Sequence, residues 1–208
     1  MNPKPDLPYA GRRARLAAQL GAHAVAIIPT APPRQRNRDS EFPYRPDSYF
    51  YYLTGFSEPE AWLVLEGSGC STLFCQPRDP DMETWTGYRM GPEAAPVALG
   101  VDAAQSVDEL DEALPRMLAN TSAVWFPFAT HDGLQLQVEG WLQDVRAQAR
   151  AGALGPEAQR DLCVLLDEMR LIKDAHELAI MRRAGSISAR GHVRAMQRSS
   201  RMLREGAD

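Results

Sequence analysis

Apolar positions along this chain follow two periods that alternate. Between Tyr9 and Leu20, Leu16 and Leu20 stand four apart with arginines between them, which predicts a helix. Ala24–Ile28 is a short, wholly apolar run ended by Pro29, as expected of a buried strand. Residues 30–48 hold no period and read as loop. The aromatic run Tyr49–Leu53, closed by Thr54-Gly55, predicts a strand and a turn. Trp62–Leu65 and Ser71–Cys75, parted by Glu66-Gly-Ser-Gly, predict a hairpin. Residues 76–96 show neither period and read as a long loop, a kind that tends to carry function. Ser106-Val-Asp-Glu109 is a capping-box pattern opening a helix through Leu110, Leu114 and Met117. Ala123–Phe126 predicts another buried strand. Helical spacing returns from Leu134 to Arg150, broken by Gly152 and Pro156, and again over Asp161–Arg170. Asp174-Ala-His-Glu177 opens a last amphipathic helix running towards Met196, with a boundary expected near 171–174. Strands and helices interleave before that boundary, so the expected class is an α/β sandwich on a mixed sheet.

Composition narrows the class of function. The 208 residues carry 23 Lys and Arg against 27 Asp and Glu, a formal charge of −4. That balance lacks the basic footprint of a nucleic-acid binder, and the arginines gathered from Arg182 to Arg204 suit a solvated or partner-facing helix. Three cysteines without a CxxC argue against a disulfide framework and for a reducing compartment. The opening Met-Asn-Pro-Lys-Pro-Asp has no apolar core of a signal peptide, and no apolar run is long enough to span a bilayer. The expected location is the cytoplasm.

Chemistry is sparse. There is no GxGxxG, no P-loop, no HExxH and no GxSxG. His176 and His192, 16 apart on one helix, differ by roughly 160° in direction and cannot share a metal. His23 and His131 are scattered, and Cys70 and Cys75 point to opposite faces if extended. Two segments stand out. In residues 39–61, Phe42, Tyr44, Tyr49, Phe50, Tyr51 and Tyr52 interleave with Asp39, Glu41, Arg45 and Asp47. There the aromatics fit a half-buried strand, and Asp39 and Arg45 form either a structural ion pair or a contact between domains. The second is Trp85, a large ring among Thr, Gly, Arg and Pro. It is either tucked under its loop or presented as an anchor, and both readings stand.

Three stretches resemble the N-terminal domain of Xaa-Pro aminopeptidase (aminopeptidase P), in the creatinase/prolidase/methionine-aminopeptidase superfamily. They are DSEFPYRPDSYFYYLTGFSEPEAWLVL (39–65), RDPDMETWTGYRMGPEAAPVALGVD (78–102) and DEMRLIKDAHELAIMRRAGSISARGHVRAM (167–196). The last resembles a family signature through Glu168, Arg170, Lys173, Glu177, Leu178, Met181, Arg182 and Ala184. The resemblance implies a creatinase-like three-layer sandwich over 1–172, non-catalytic, and a linker helix over 173–208 that begins a truncated pita-bread catalytic domain. It implies a parent enzyme that releases the N-terminal residue from peptides with proline second. There a dinuclear site, usually manganese, holds a bridging hydroxide that attacks the scissile carbonyl.

No metal ligand, base or nucleophile of that family falls on a residue of this chain, so no catalytic residue is expected in it. Three positions do correspond. Trp85 matches a tryptophan that reaches a neighbouring subunit's peptide pocket. Arg150, counted back from Glu168 without a gap, matches an arginine placed likewise. Asp39 matches an acidic residue pairing with an arginine of the catalytic domain. The implied role is to shape and gate the active site and to mediate homo-oligomerisation, silent in catalysis alone. The implied partners are its own catalytic domain and proline-containing peptides, with no nucleic acid and no membrane. The rival is a free-standing binding or scaffold protein. The apolar Leu178, Ile180, Met181, Ile187, Val193 and Met196 argue against it, because a last helix so lined needs a partner. An unseen hydrolytic triad in this chain is the third and least supported reading.

Overall fold

The computed structural model of the chain describes residues 7–205, with side chains from 7 to 199; the opening hexapeptide and the side chains of Arg201 and Arg204 lie outside it. Two compact units divide it, one up to Glu168 and one from Met169 onwards.

In the first unit, α1 (Tyr9–Leu20) leads to β1 (Ala24–Pro29), then α2 (Ser48–Thr54), β2 (Trp62–Glu66) and β3 (Ser71–Cys75). There follow α3 (Pro80–Thr86), α4 (Gly91–Leu99), β4 (Ala103–Ser106), α5 (Leu110–Leu118), β5 (Ala123–Phe126), α6 (Leu134–Ala147), β6 (Ala158–Asp161) and the start of α7 (Cys163–Leu171), whose last turn belongs to the second unit. The six strands form one sheet in the order β4-β3-β2-β1-β5-β6. Only β2 opposes its neighbours; the β1–β5, β3–β4 and β5–β6 pairs are parallel. The sheet is therefore mixed, and helices cover both faces.

β1 is buried at every position, as a central strand covered on both sides must be. Val25 and Ile27 join Val64, Phe74, Val124 and Phe126 in a core closed by Leu110 and Leu114 of α5 and Val138, Trp141 and Val145 of α6. The alternate positions, Ala26, Ile28, Leu63, Leu65 and Leu73, are equally buried, and α1, α2 and α4 pack on the sheet's strands as well. β4 (AAQS) and β6 (AQRD) escape pattern reading because they are the two edges. An edge strand needs backbone pairing on one side only and can stay polar.

Two expectations fail here for a common reason. Tyr49–Leu53 is helical, not extended. Asp47 accepts the N–H groups of Tyr49 (2.7 Å) and Phe50 (3.0 Å), and Gly55 stops the turn. Residues 76–96 hold α3 and the start of α4, not a loop: Asp79 caps α3 with Pro80 at its first position, and Pro92 opens α4. Both segments carry start and stop residues that outweigh β-propensity or missing periodicity.

The arginines of α1 also depart from the pattern. Arg12 and Arg13 are buried. Arg12 donates to the Tyr52 carbonyl (3.0 Å) and lies 4.1 Å from the centre of that residue's ring. Arg13 donates to the carbonyls of Leu53 (2.9 Å), Leu99 (3.3 Å) and Gly100. These are the carbonyls left over at the ends of α2 and α4, where the helix dipole also favours a cation.

In the second unit, Lys173 donates to the carbonyls of Arg170 and Leu171 at the end of α7. Asp174 and Glu177 then exchange side chain and backbone N–H at 2.9 and 3.0 Å, a reciprocal capping box opening α8 (Ala175–Glu205). Signature residues Lys173 and Glu177 thus serve as a helix stop and a helix start. Leu178, Ile180, Met181, Ile187, Val193 and Met196 of α8 are all exposed.

Candidate functional site

The carboxyl ends of β1, β3 and β5 lie at one end of the sheet, with Pro29, Trp62 and Phe74 side by side across β1, β2 and β3. Three features gather there. The first is α3, which leaves β3. It buries none of its residues, and Trp85 is 85% exposed, with Tyr88 just beyond the helix at 66%. The tucked-under reading of Trp85 is therefore wrong for this structure: the ring is presented to the outside.

The second is the strap that leaves β1. Gln35 and Glu41 pair across a turn in which the Asn37 side chain accepts the N–H groups of Asp39 (3.0 Å) and Ser40 (2.9 Å). Asp39 sits exposed at the tip of that turn, and Arg45 is exposed as well. Among the described residues no ion pair joins them, which removes the structural-pair reading. The third is a cleft of about 640 Å³ between β1, the residues before β2 and the start of α6. Thr30, Asp47, Glu60, His131 and Gln137 line it with Trp62 and Leu134. His131 Nε2 lies 3.9 Å from Asp47, while its Nδ1 and the Thr130 hydroxyl are 2.8 Å apart. Burial pushes the His131 pKa down, opposed by the charges of Asp47 and Asp132.

Arg150 is elsewhere. It lies exposed in the short turn after α6, and the chain then passes Asn120 and Ser122 at the amino end of β5 before entering β6. That is the end of the sheet opposite Trp85 and Asp39. One copy of the chain does not bring Trp85 and Arg150 together.

Among the described residues no group of three or more His, Cys, Asp or Glu is placed to hold a metal ion. Burial pushes the Cys75 thiol up to about 12 and the Cys163 thiol up to about 11, so both are protonated near neutrality.

Pattern reading missed the polar groups that mount α3. Glu83 receives Arg78 on both oxygens, at 3.0 and 3.1 Å, and the Arg89 N–H at 3.3 Å. Glu58 accepts the Met90 N–H at 2.9 Å through Oε1, while its Oε2 is buried without a hydrogen-bond partner. Their only mark in the sequence was proximity to Pro59 and to the Asp79-Pro80 helix start. Burial raises the Glu58 pKa, against the Met90 N–H and the charge of Arg89. A carboxyl with a raised folded pKa binds more protons folded than unfolded, so stability falls as pH rises from the unfolded value through the folded one. Glu58→Gln keeps the acceptor for Met90 and removes the charge. Urea unfolding at about pH 4.5 and about pH 8 is expected to show the variant gaining on the wild type as pH rises. Parallel pH dependence of the two proteins would refute the assignment.

The comparisons agree with this architecture. The family described as "Aminopeptidase P, N-terminal domain" matches residues 9–125, more than half of the chain. The Xaa-Pro aminopeptidase of Haemophilus influenzae is 37% identical over 196 residues, covering 93% of this chain and 43% of that protein. The Escherichia coli Xaa-Pro aminopeptidase is 39% identical over 191 residues, covering 90% and 43%. Among solved structures, Pseudomonas aeruginosa aminopeptidase PepP superposes with a TM-score of 0.89 at 39% identity, over 94% of this chain and 45% of that one. A zinc-substituted E. coli aminopeptidase P in complex with product gives 0.86 at 37% identity, over 90% and 44%. The chain thus spans less than half the length of these relatives. With its six-stranded mixed sheet, its helices on both faces and its match over residues 9–125, it belongs to the aminopeptidase P N-terminal domain family.

Proposed function

We propose that this chain serves as the non-catalytic N-terminal part of a metal-dependent, cytoplasmic Xaa-Pro aminopeptidase. In that reading, residues 1–172 form the N-terminal domain, and residues 173–208 are the linker helix and the start of the catalytic domain. The two metal ions, manganese in the resemblance, belong to the catalytic part. They would supply Lewis-acid polarisation of the scissile carbonyl and the attacking hydroxide there. No group of residues in the described part of this chain fits such a site, and no chemical step is assigned to them. Alone the chain is inactive.

Its work is positional. The observation that carries the reading is the exposed Trp85 on a helix that buries nothing. A ring so presented is an anchor awaiting a surface, here the peptide pocket of a neighbouring subunit. Arg150, at the other end of the sheet, serves a different copy, so the assembly is a homo-oligomer. Asp39, exposed at its turn with no ion-pair partner among the described residues, pairs with a cation of the catalytic domain. Together these contacts shape and gate the cleft, so that the N-terminal part limits it to short, unfolded, proline-containing peptides. The exposed apolar residues of α8 fit a helix that continues into further structure better than a free-standing scaffold.

The test is Trp85→Ala in the parent enzyme. KM for tripeptides and longer substrates is expected to rise about five- to thirtyfold, an anchor's 1–2 kcal/mol. Metal content stays unchanged, and stability moves by less than about 0.5 kcal/mol, because the ring is exposed. Unchanged kinetics across peptide lengths would remove Trp85 from the pocket.

A further inference from the structure

α3 has seven residues and buries none of them. A helix that short is not stable by itself, and here it has no buried apolar residue to hold it. What holds it is polar. Asp79 accepts the N–H groups of Asp81 (3.1 Å) and Met82 (3.2 Å) at its start. Arg78, one residue earlier, reaches forward to both oxygens of Glu83 in the middle of the helix. The same Glu83 takes the Arg89 N–H beyond the helix end, which closes the segment into a ring. The Arg78 guanidinium also lies 5.2 Å from the centre of the Tyr88 ring. Gly91 makes room for it: φ there is +73°, and a Cβ would come within 2.8 Å of Arg78 Cγ. Finally Glu58, just before β2, takes the Met90 N–H and ties the far end of the segment to the body.

We propose that Arg78, Glu83 and Glu58 form a polar clamp that fixes the direction of α3, which makes Arg78 and Glu83 positioning residues for Trp85. This rests on the proposed role of Trp85 as a pocket anchor. A forked guanidinium on a carboxylate holds an angle as well as a distance. An exposed ring on a loose segment would incur an ordering cost at each binding event, so the clamp acts on substrate affinity rather than on turnover.

Two measurements test it. In this chain, Glu83→Gln and Arg78→Met are expected to speed amide exchange over residues 80–90 by about tenfold, with the sheet amides of Ile27 and Val64 unchanged. Unchanged exchange over 80–90 overturns the clamp, and so does equal acceleration in the sheet, which would mean general destabilisation. In the parent enzyme, Glu83→Gln raises KM for tripeptides about threefold or more with kcat nearly unchanged, and adds nothing in a Trp85→Ala background. A full effect in that background overturns the positioning role. Faster exchange over 80–90 together with silent Trp85→Ala kinetics would instead overturn the pocket role of Trp85 and leave the clamp itself standing.

Discussion

Replacing Arg13 with alanine is expected to lower the unfolding free energy by about 3 kcal/mol, a large share of what a domain of this size has. Arg13 is 3% exposed, and its guanidinium serves three carbonyls from two helix ends, Leu53 of α2 and Leu99 and Gly100 at the end of α4. Burial lowers the Arg13 pKa, partly offset by Asp102. Asp102 is itself held ionised by the Ser71 hydroxyl (2.7 Å) and N–H (2.8 Å). Removing the side chain strands the buried Leu53 carbonyl and leaves the part-buried carbonyls of Leu99 and Gly100 without their donor. Arg13→Lys should recover little, because one ammonium cannot fork across two helix ends. Equilibrium urea unfolding checks both variants. A loss below about 1 kcal/mol for Arg13→Ala would mean that the carbonyls find other donors.

Gly67→Ala is expected to cost at least as much, about 3–5 kcal/mol, and for a different reason. A Cβ at Gly67 would stand 1.8 Å from the Gly21 carbonyl oxygen and 2.8 Å from its carbon. Both are backbone atoms at the entrance to β1, where the Gly67 N–H also donates to the Ala24 carbonyl at 2.8 Å. No side-chain rotation relieves such an overlap, so the end of the β1–β2 ladder must part. Gly140 is the control. It lies inside α6 with nothing within 4 Å of a Cβ, so Gly140→Ala is expected to stabilise by about 0.5–1 kcal/mol through helix propensity. Thermal unfolding of the pair separates the two effects: opposite shifts in Tm are expected. A small shift for Gly67→Ala would show that the hairpin end is not in close contact with the start of β1.

The sheet's four interior strands were legible because covered strands are mostly apolar: AVAII, WLVL and AVWF are wholly so, and STLFC is after its first two residues. The helix Tyr9–Leu20 was legible from spacing, as was the one read from Leu134 to Arg150, which ends at Ala147, and the start of α8 was legible at Asp174-Ala-His-Glu177. The misreadings share a physical cause. Aromatic content argued for a strand at Tyr49–Leu53, yet one carboxylate at Asp47 supplies the two hydrogen bonds that begin a helix there. A missing period argued for a loop at 76–96, yet α3 has no period to show because it has no buried face. The edge strands β4 and β6 were unreadable for the converse reason: their pairing is by backbone, which every sequence possesses.

The candidate site divides in the same way. Trp85 and Asp39 were visible in the sequence as residues without a place in any periodic core, and their resemblance to family positions sharpened that. Their exposure was not visible, nor was the separation of Trp85 from Arg150 by the full length of the sheet. By itself the sequence determined where the core strands lie, where the helices start and stop, and which family the chain resembles, since each depends on residue type and local spacing. Only the tertiary structure decided what the charged groups do. It placed Arg12 and Arg13 on helix ends some forty residues away or more in the chain, set Glu58 under Met90, and closed Arg78 on Glu83 beneath the Trp85 helix. A charge finds its partner through space, and one chain folding on itself brings together groups whose separation along the sequence carries no sign of the contact.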